Sequence, residues 1–348
     1  MPLENEPRSG RYPLPLKDNG YVEFAADNAG ARALLRDVIH EVSPSENMPL
    51  SLHYDEEGQL LRLISTLQRR LPPDETRRIR FRISDGPDMK PDWKPLPELF
   101  GEVGGRSVAE TILHRLFTTY MQPIVQSGGR IEGYEFLLRP LPELAPFQPA
   151  NLFETARRIG HHAFLDRAAR RSAIRLGASH LPAGTKRFIN FLPSSLHQPD
   201  ECLQGTFDCI RESGTYAQDY VFEVMETERL DDPALGRVFD IARSQGVRLA
   251  LDDVGMGFAT LSTVDRLKPD YVKMDRRWVS GCDTDEAKKR YIGDLVNRAA
   301  KFGGTVLAEG VEREEEWSYL RQVGIPLFQG FLFGRASPGP ARMLASSR

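Results

Sequence analysis

Cysteine is scarce in this sequence. Cys202, Cys209 and Cys282 are an odd set with no Cys-x-x-Cys pair. That excludes a disulfide framework and points to a reducing compartment, the cytoplasm. Long apolar runs are also missing. None approaches the ~20 residues that cross a bilayer, so no membrane span is expected. The opening residues, "MPLENEPRSGRYPLPLKDNG", are polar and proline-rich and lack the apolar core of a signal peptide. Residues 1–19 read as a flexible leader. A strong charge of one sign is absent too. The formal net charge is −3, which supplies no global field for DNA, RNA or anionic lipid but leaves room for one charged ligand in a local pocket.

The 348 residues are enough for two domains. Residues 20–85 read as a small β-α-β-α-β accessory or regulatory domain. "YVEF" and "MPLSLHY" are strand-like. "NAGARALLRDVIHEV" has helical spacing, with Leu34, Leu35, Val38 and Val42 on one face, and "QLLRLISTLQRRL" is helical again. "RRIRFRIS" alternates Ile79, Phe81 and Ile83 with arginines, as a half-exposed strand does. It could be an edge strand that pairs with a second copy. His53 in the middle strand reads as a structural histidine. Residues 86–106 include "DGPDMKPDWK" and read as a linker. A helix is expected to start near Ser107 and run through "VAETILHRLFTTY".

Residues 107–348 have a rhythm. Eight short apolar runs recur: "QPIV", "YEFLL", "RFINF", "YVFEV", "RLALDD", "YVKMD", "TVLAEGV" and "LFQGFLF". Most later gaps hold helical segments, the pattern of a parallel sheet with helices outside. Only the eight residues "QSGGRIEG" separate the first two runs, so they form a hairpin and the first strand is antiparallel. The expected fold class is α/β, a (β/α)₈ TIM-like barrel preceded by the small α/β domain. An open doubly wound sheet is the alternative, but the glycine-rich phosphate loop it usually carries is not found.

Polar residues fall where the runs end. Glu135 lies in the second run and Asn190 in the third. Glu223 is in the fourth, followed by Glu226. Asp252 and Asp253 end the fifth, and Lys273 and Asp275 end the sixth. Glu309 ends the seventh, and Gln329 lies in the eighth. In a parallel barrel the C-terminal strand ends meet at one mouth. A single acid there is usually a helix cap or a solvated loop residue. Several converging carboxylates would repel one another and stay partly protonated unless a cation joined them. Oxygen donors suit Mg²⁺ or Mn²⁺. No histidine lies in these runs, and the cysteines lie elsewhere, which weighs against zinc. Adjacent aspartates before Gly255 and Gly257 could flank two metals.

In this order the motifs resemble the EAL domain family, bacterial phosphodiesterases that open cyclic di-GMP to linear pGpG. "QPIV" (122–125) is similar to the entry strand, and "EFLLR" (135–139) stands at the Glu-Ala-Leu signature. "FINFLPSSL" (188–196), "FEVMETE" (222–228), "DDVGMGFATL" (252–261), "VKMD", "AEGVE" and "QGFLFGRASP" follow in sequence. The resemblance implies two metals per site, Mg²⁺ or Mn²⁺, activating a water. Glu135, Asn190, Glu223 and Asp252 would hold the first, and Asp252 and Asp253 would share in the second. Asp275 would hold or orient the water. Lys273 would contact the water or the scissile phosphate. Glu309 is implied as a further essential acid, either as base or as anchor of the metal loop. Glu226 would tether the loop after the fifth run. Gln329 would lie near the second metal. Arg139, Gln329, Leu137 and Pro123 would contact the substrate. A homodimer is also implied.

The sequence departs from the family pattern at Phe136, where the signature has alanine. It departs again at Met225, Val254, Met256 and Pro140. The expected function is metal-dependent hydrolysis of cyclic di-GMP. The alternative is a degenerate domain that binds the nucleotide as a sensor without cutting it.

Overall fold

The computed structural model describes residue 13 and residues 15–44, 50–193, 199–225, 233–257 and 259–341. The chain forms two compact units. Residues 1–117 and 140–165 make the first, and residues 118–139 and 166–348 the second. Among the described residues, no helix is long and apolar enough to cross a membrane.

In the first unit, β1 (Gly20–Ala26), α1 (Ala29–Val42), β2 (Ser51–Tyr54), α2 (Glu57–Arg70), α3 (Pro73–Thr76), β3 (Ile79–Ser84) and β4 (Lys94–Pro95) build an antiparallel sheet. Its order is β2-β1-β3-β4. Alternation sets the buried face: Val22, Phe24, Leu52, Tyr54, Ile79 and Phe81 are inside. Asn28 caps α1, its Oδ1 accepting from Ala31 N at 2.7 Å, a contact worth about 1 kcal/mol. The buried face of α1 is Ala31, Leu35, Val38 and Ile39. It is rotated from the expected Leu34–Leu35–Val38–Val42 stripe because small Ala31 and Ile39 line up at helical spacing with Leu35. β3 is not an edge strand. It lies between β1 and β4, paired along its length with β1 and at Arg80 and Phe81 with β4. His53 is exposed and lies against Tyr21, with ring centroids 4.5 Å apart.

The segment read as a linker carries β4, a 3₁₀ turn (Leu96–Leu99) that buries Leu96 and Leu99, and β5 (Glu102–Val103). β5 pairs with β6 (Arg106–Ser107). Next, α4 runs only over Val108–Leu113, with Ser107 as its cap. The helix does not continue to Tyr120 as the sequence suggested. Arg115 adopts a left-handed φ of 50°, and "FTTY" then starts a strand in which Phe117, Thr119 and Met121 are buried alternately. β-branched and aromatic residues favour that pleated surface over a helix. α5 (Pro149–Arg158) completes this unit.

The second unit holds a closed barrel. Its strands are β7 (Phe117–Gln126), β8 (Ile131–Pro140), β9 (Lys186–Phe191), β10 (Tyr220–Val224), β11 (Arg248–Val254), β12 (Tyr271–Met274), β13 (Thr305–Ala308) and β14 (Leu327–Gln329). They close in the order β10-β11-β12-β13-β14-β7-β8-β9. β7 is antiparallel to β14, and the pairs from β8 to β14 are parallel. The fold is thus a mixed barrel with an antiparallel first strand. The accompanying helices are α6 (His162–His180), α7 (Pro199–Glu212), α8 (Pro233–Ser244), α9 (Leu261–Leu267), α10 (Arg276–Val279), α11 (Glu286–Ala300) and α12 (Glu314–Gln322). Ile174, Leu203, Val238, Ile292, Leu295 and Leu320 on these helices pack on outward strand residues such as Phe191, Phe222 and Leu251.

Candidate active site

Strand periodicity builds the site. Ile124, Phe188, Val221, Ala250, Leu307 and Leu327 pack inside the barrel as one apolar layer, with Tyr271 against them. Side chains on a strand return to the same face every two residues. Two residues beyond Phe188, Val221, Ala250, Tyr271, Leu307 and Leu327 stand Asn190, Glu223, Asp252, Lys273, Glu309 and Gln329. An apolar floor therefore carries a wholly polar second layer at the C-terminal mouth. Glu135 enters from β8, and Asn190 is the register partner of Glu223.

The adjacent aspartates have a specific backbone cause. From Leu251 to Val254 β11 advances three residues while its partner advances two, from Val272 to Met274. This is a β-bulge, a device that re-aims side chains at barrel rims. Asp253 is the odd residue, with a left-handed φ of 48°, a conformation that aspartate tolerates better than most side chains. As a result Asp252, Asp253 and Glu309 each present an oxygen within 4.8 Å of the others.

Lys273 lies at the centre of the layer. Its Nζ is 2.7 Å from Asp252 Oδ1, 2.8 Å from Glu223 Oε1, 2.8 Å from Glu309 Oε1 and 3.6 Å from Glu135 Oε1. An ammonium has three protons and cannot serve every oxygen. The approaches of Glu223 Oε1 and Asp252 Oδ1 are close but lie off hydrogen-bonding geometry. Gln329 Nε2 donates to Glu135 Oε2 at 2.5 Å. Glu223 is 0% exposed and Lys273 1%. Burial, with Glu135 and Asp252 nearby, pushes the Glu223 carboxyl well above its ordinary range, although Lys273 pulls the other way. Burial likewise raises Glu309, again against Lys273, with Asp252, Glu135 and Asp253 adding to the rise. For Lys273, burial favours the neutral amine, but Asp252, Glu135, Glu223 and Glu309 together outweigh it and hold the ammonium charged.

These residues fit a hard divalent cation. Every donor in the layer apart from Lys273 is an oxygen or an amide. Glu223 Oε2 and Gln329 Oε1 are buried and accept no hydrogen bond, which is costly unless something else satisfies them. Four carboxylates (Glu135, Glu223, Asp252 and Glu309) surround one ammonium, and a fifth, Asp253, stands beside Asp252 and Glu309. Two divalent cations would balance the excess.

Asp275 follows the end of β12, and its Oδ1 accepts from Arg277 N at 2.8 Å, capping α10. Arg139 is half-buried and donates to Leu138 O at 2.8 Å. Leu137 is half-buried and Pro123 buried. Glu226 lies outside the described residues. Phe136 faces away from the mouth. It packs in the outer core, its Cζ 3.0 Å from where a Cβ on Gly177 of α6 would stand. Val254 is buried in that same core, while Met225 and Met256 are half-buried.

The sequence reading missed one structural acid, Glu316. It is buried near the N-terminus of α12 and accepts from Gly281 N at 2.9 Å, Glu312 N and Arg313 N at 3.2 Å, and Arg313 Nε at 3.0 Å. It thereby fixes the chain leaving Glu309. Its signal was the three-residue spacing from Arg313, a capping-box spacing with an unusual first residue.

Fold and site together define a barrel protein whose mouth carries an acid cluster suited to divalent cations. The chain belongs to the EAL domain family, whose model matches residues 106–336. It is 33% identical over 227 residues to "Probable cyclic di-GMP phosphodiesterase PdeG" of Escherichia coli K12, a match covering 62% of this chain and 43% of that protein. The chain thus matches less than half the length of this relative. Its fold is similar to that of Klebsiella pneumoniae BlrP1 in a calcium and cyclic di-GMP complex at pH 8.0. There the TM-score is 0.60 at 31% identity, covering 66% of this chain and 58% of BlrP1. A manganese and cyclic di-GMP complex of BlrP1 at pH 6 gives 0.59 at 30% identity, covering 64% and 57%.

Proposed function

We propose that the chain hydrolyses cyclic di-GMP to linear pGpG with two divalent cations, Mg²⁺ or Mn²⁺, in the barrel mouth. The observation that carries this reading is the unbroken polar layer of Glu135, Asn190, Glu223, Asp252, Lys273 and Glu309, with Asp253 turned towards it by the bulge. The cations would activate a water and offset charge on the phosphate.

The chain's own residues prepare the site. Glu135, Asn190, Glu223 and Asp252 would hold one cation, and Asp252 and Asp253 the other. Gln329 orients Glu135 through the 2.5 Å hydrogen bond. Lys273 keeps Glu223, Asp252 and Glu309 gathered and, as a fixed charge in a buried site, offsets negative charge growing on a phosphate. Glu309 would act as base or as anchor of the metal loop. Asp275 would orient the water only after releasing its helix cap. Arg139, Leu137 and Pro123 are assigned to the nucleotide, and Glu226 to tethering the loop after β11. Residues 20–85 are proposed as an accessory regulatory module, and the assembly as a homodimer in the cytoplasm.

The packing of Phe136 and Val254 in the outer core favours hydrolysis over a non-cutting sensor, since neither crowds the mouth. The test is chromatography of cyclic di-GMP incubated with the protein and Mn²⁺ or EDTA, with Glu223→Gln as control. Linear product only with metal, and none from the variant, supports the enzyme. Tight binding with no product supports the sensor.

A further inference from the structure

The turn after Asp253 rests on an aromatic pair to which neither the sequence motifs nor the proposed chemistry gives a role. Trp278 of α10 and Tyr291 of α11 are stacked, with centroids 3.7 Å apart and planes 11° from parallel. Gly255 lies directly on them. A Cβ at Gly255 would stand 2.1 Å from Trp278 Nε1 and 2.7 Å from both Trp278 Cδ1 and Tyr291 Oη. Gly255 also has a φ of 103°, where a side chain is strained. Only glycine lets the main chain sit this low on the rings.

The turn itself is short and closed. Gly255 N donates to Ala259 O at 2.8 Å, Met256 N to Asp253 O at 3.1 Å, and Ala259 N to Met256 O at 2.9 Å. Asp253, two residues before Gly255, holds its own left-handed φ of 48°. A displacement of Gly255 therefore passes to Asp253 through two peptide units and a hydrogen bond. Asp252 is less exposed to it. It keeps the inward alternation, two residues beyond Ala250 of the apolar floor, and is held by Lys273.

We propose that the Trp278–Tyr291 stack is a positioning platform. It sets the height of Gly255 and so fixes where the Asp253 carboxylate stands relative to Asp252 and Glu309. This rests on the two-cation reading above. The cation shared by Asp252 and Asp253 should depend on the platform. The one held by Glu135, Asn190, Glu223 and Asp252 should not.

The experiment is Mn²⁺ titration of the full chain without nucleotide, followed by the electron paramagnetic resonance of free Mn²⁺, with circular dichroism as a check on folding. Wild type is expected to bind two ions. Trp278→Leu and Tyr291→Ala should each keep one and weaken the other at least tenfold, and Trp278→Phe, which keeps a flat ring, should restore most of the loss. Gly255→Ala tests the contact from the other side and should give the same loss if the aromatic variants do not fold. Two ions bound with wild-type affinity in folded Trp278→Leu and Tyr291→Ala, or in folded Gly255→Ala, would overturn the platform and leave the cation site standing. No Mn²⁺ bound by wild type would overturn the two-cation reading itself, and the platform with it.

Discussion

Replacing Lys273 by methionine keeps the stem and removes the charge at the centre of the acid layer. In the present structure three carboxylate oxygens lie 2.7–2.8 Å from Nζ, and the lysine is 1% exposed. At an effective dielectric of about 20, each such pair has a gross attraction of about 6 kcal/mol. Desolvation of the charges cancels most of that sum. What is left can be judged from buried pairs in general, where removing one partner costs about 3–5 kcal/mol because the other stays buried and uncompensated. Against a total stability of about 5–15 kcal/mol, that is a large fraction. Urea denaturation in EDTA should therefore place Lys273→Met about 3–5 kcal/mol below wild type. Mn²⁺ at about a thousand times its dissociation constant should return about 4 kcal/mol to any variant that still binds it. A variant within about 1 kcal/mol of wild type in EDTA would refute the reasoning, since the acids would then not need the lysine to stay assembled.

Other perturbations have equally definite outcomes. Glu316→Gln removes a buried carboxylate that accepts from Gly281, Glu312 and Arg313 and should cost about 1.5–3 kcal/mol in a urea melt at neutral pH. Burial alone would raise the Glu316 carboxyl, but the donors from Gly281, Glu312 and Arg313 outweigh it and hold it low. Its contribution is thus present above the ordinary carboxylate range and lost as pH falls through the folded value, so the gap between variant and wild type should close in acid. His161 is fully buried with neither ring nitrogen hydrogen-bonded. Burial, and then His162, lower its pKa to about 3. The folded ring stays neutral where the unfolded one takes a proton, so stability should fall as pH drops from about 6.5 towards 3, by up to about 5 kcal/mol. Thermal melts across that window should show a shallower fall for His161→Leu.

Much of the second unit was legible because a barrel strand writes its faces at period two. The run "RFINF" places Phe188 on the floor and Asn190 on the layer above it, and "YVKMD" does the same with Tyr271 and Lys273. The reading failed where local pattern yields to tertiary setting. "VAETILHRLFTTY" looks helical throughout, yet Arg115 turns left-handed and the residues after it join the barrel. Asp275 is a different case: it follows the end of its strand and its carboxylate caps a helix, a second task beside the one proposed for it. The two aspartates of "LDDVG" were visible as a pair. The bulge that turns the second towards the first was not, because a bulge is defined by the neighbouring strand's register and not by its own residues. The weight that Gly255 places on Trp278 was hidden for the same reason, with 23 positions separating glycine and ring.

The central claim is that this barrel mouth directs a water onto the phosphorus of cyclic di-GMP. The most direct measurement is mass spectrometry of the product formed with Mn²⁺ in ¹⁸O-labelled water. Linear pGpG carrying one ¹⁸O on its terminal phosphate is the predicted result. Unlabelled product, or intact nucleotide after prolonged incubation at high protein concentration, would contradict the account.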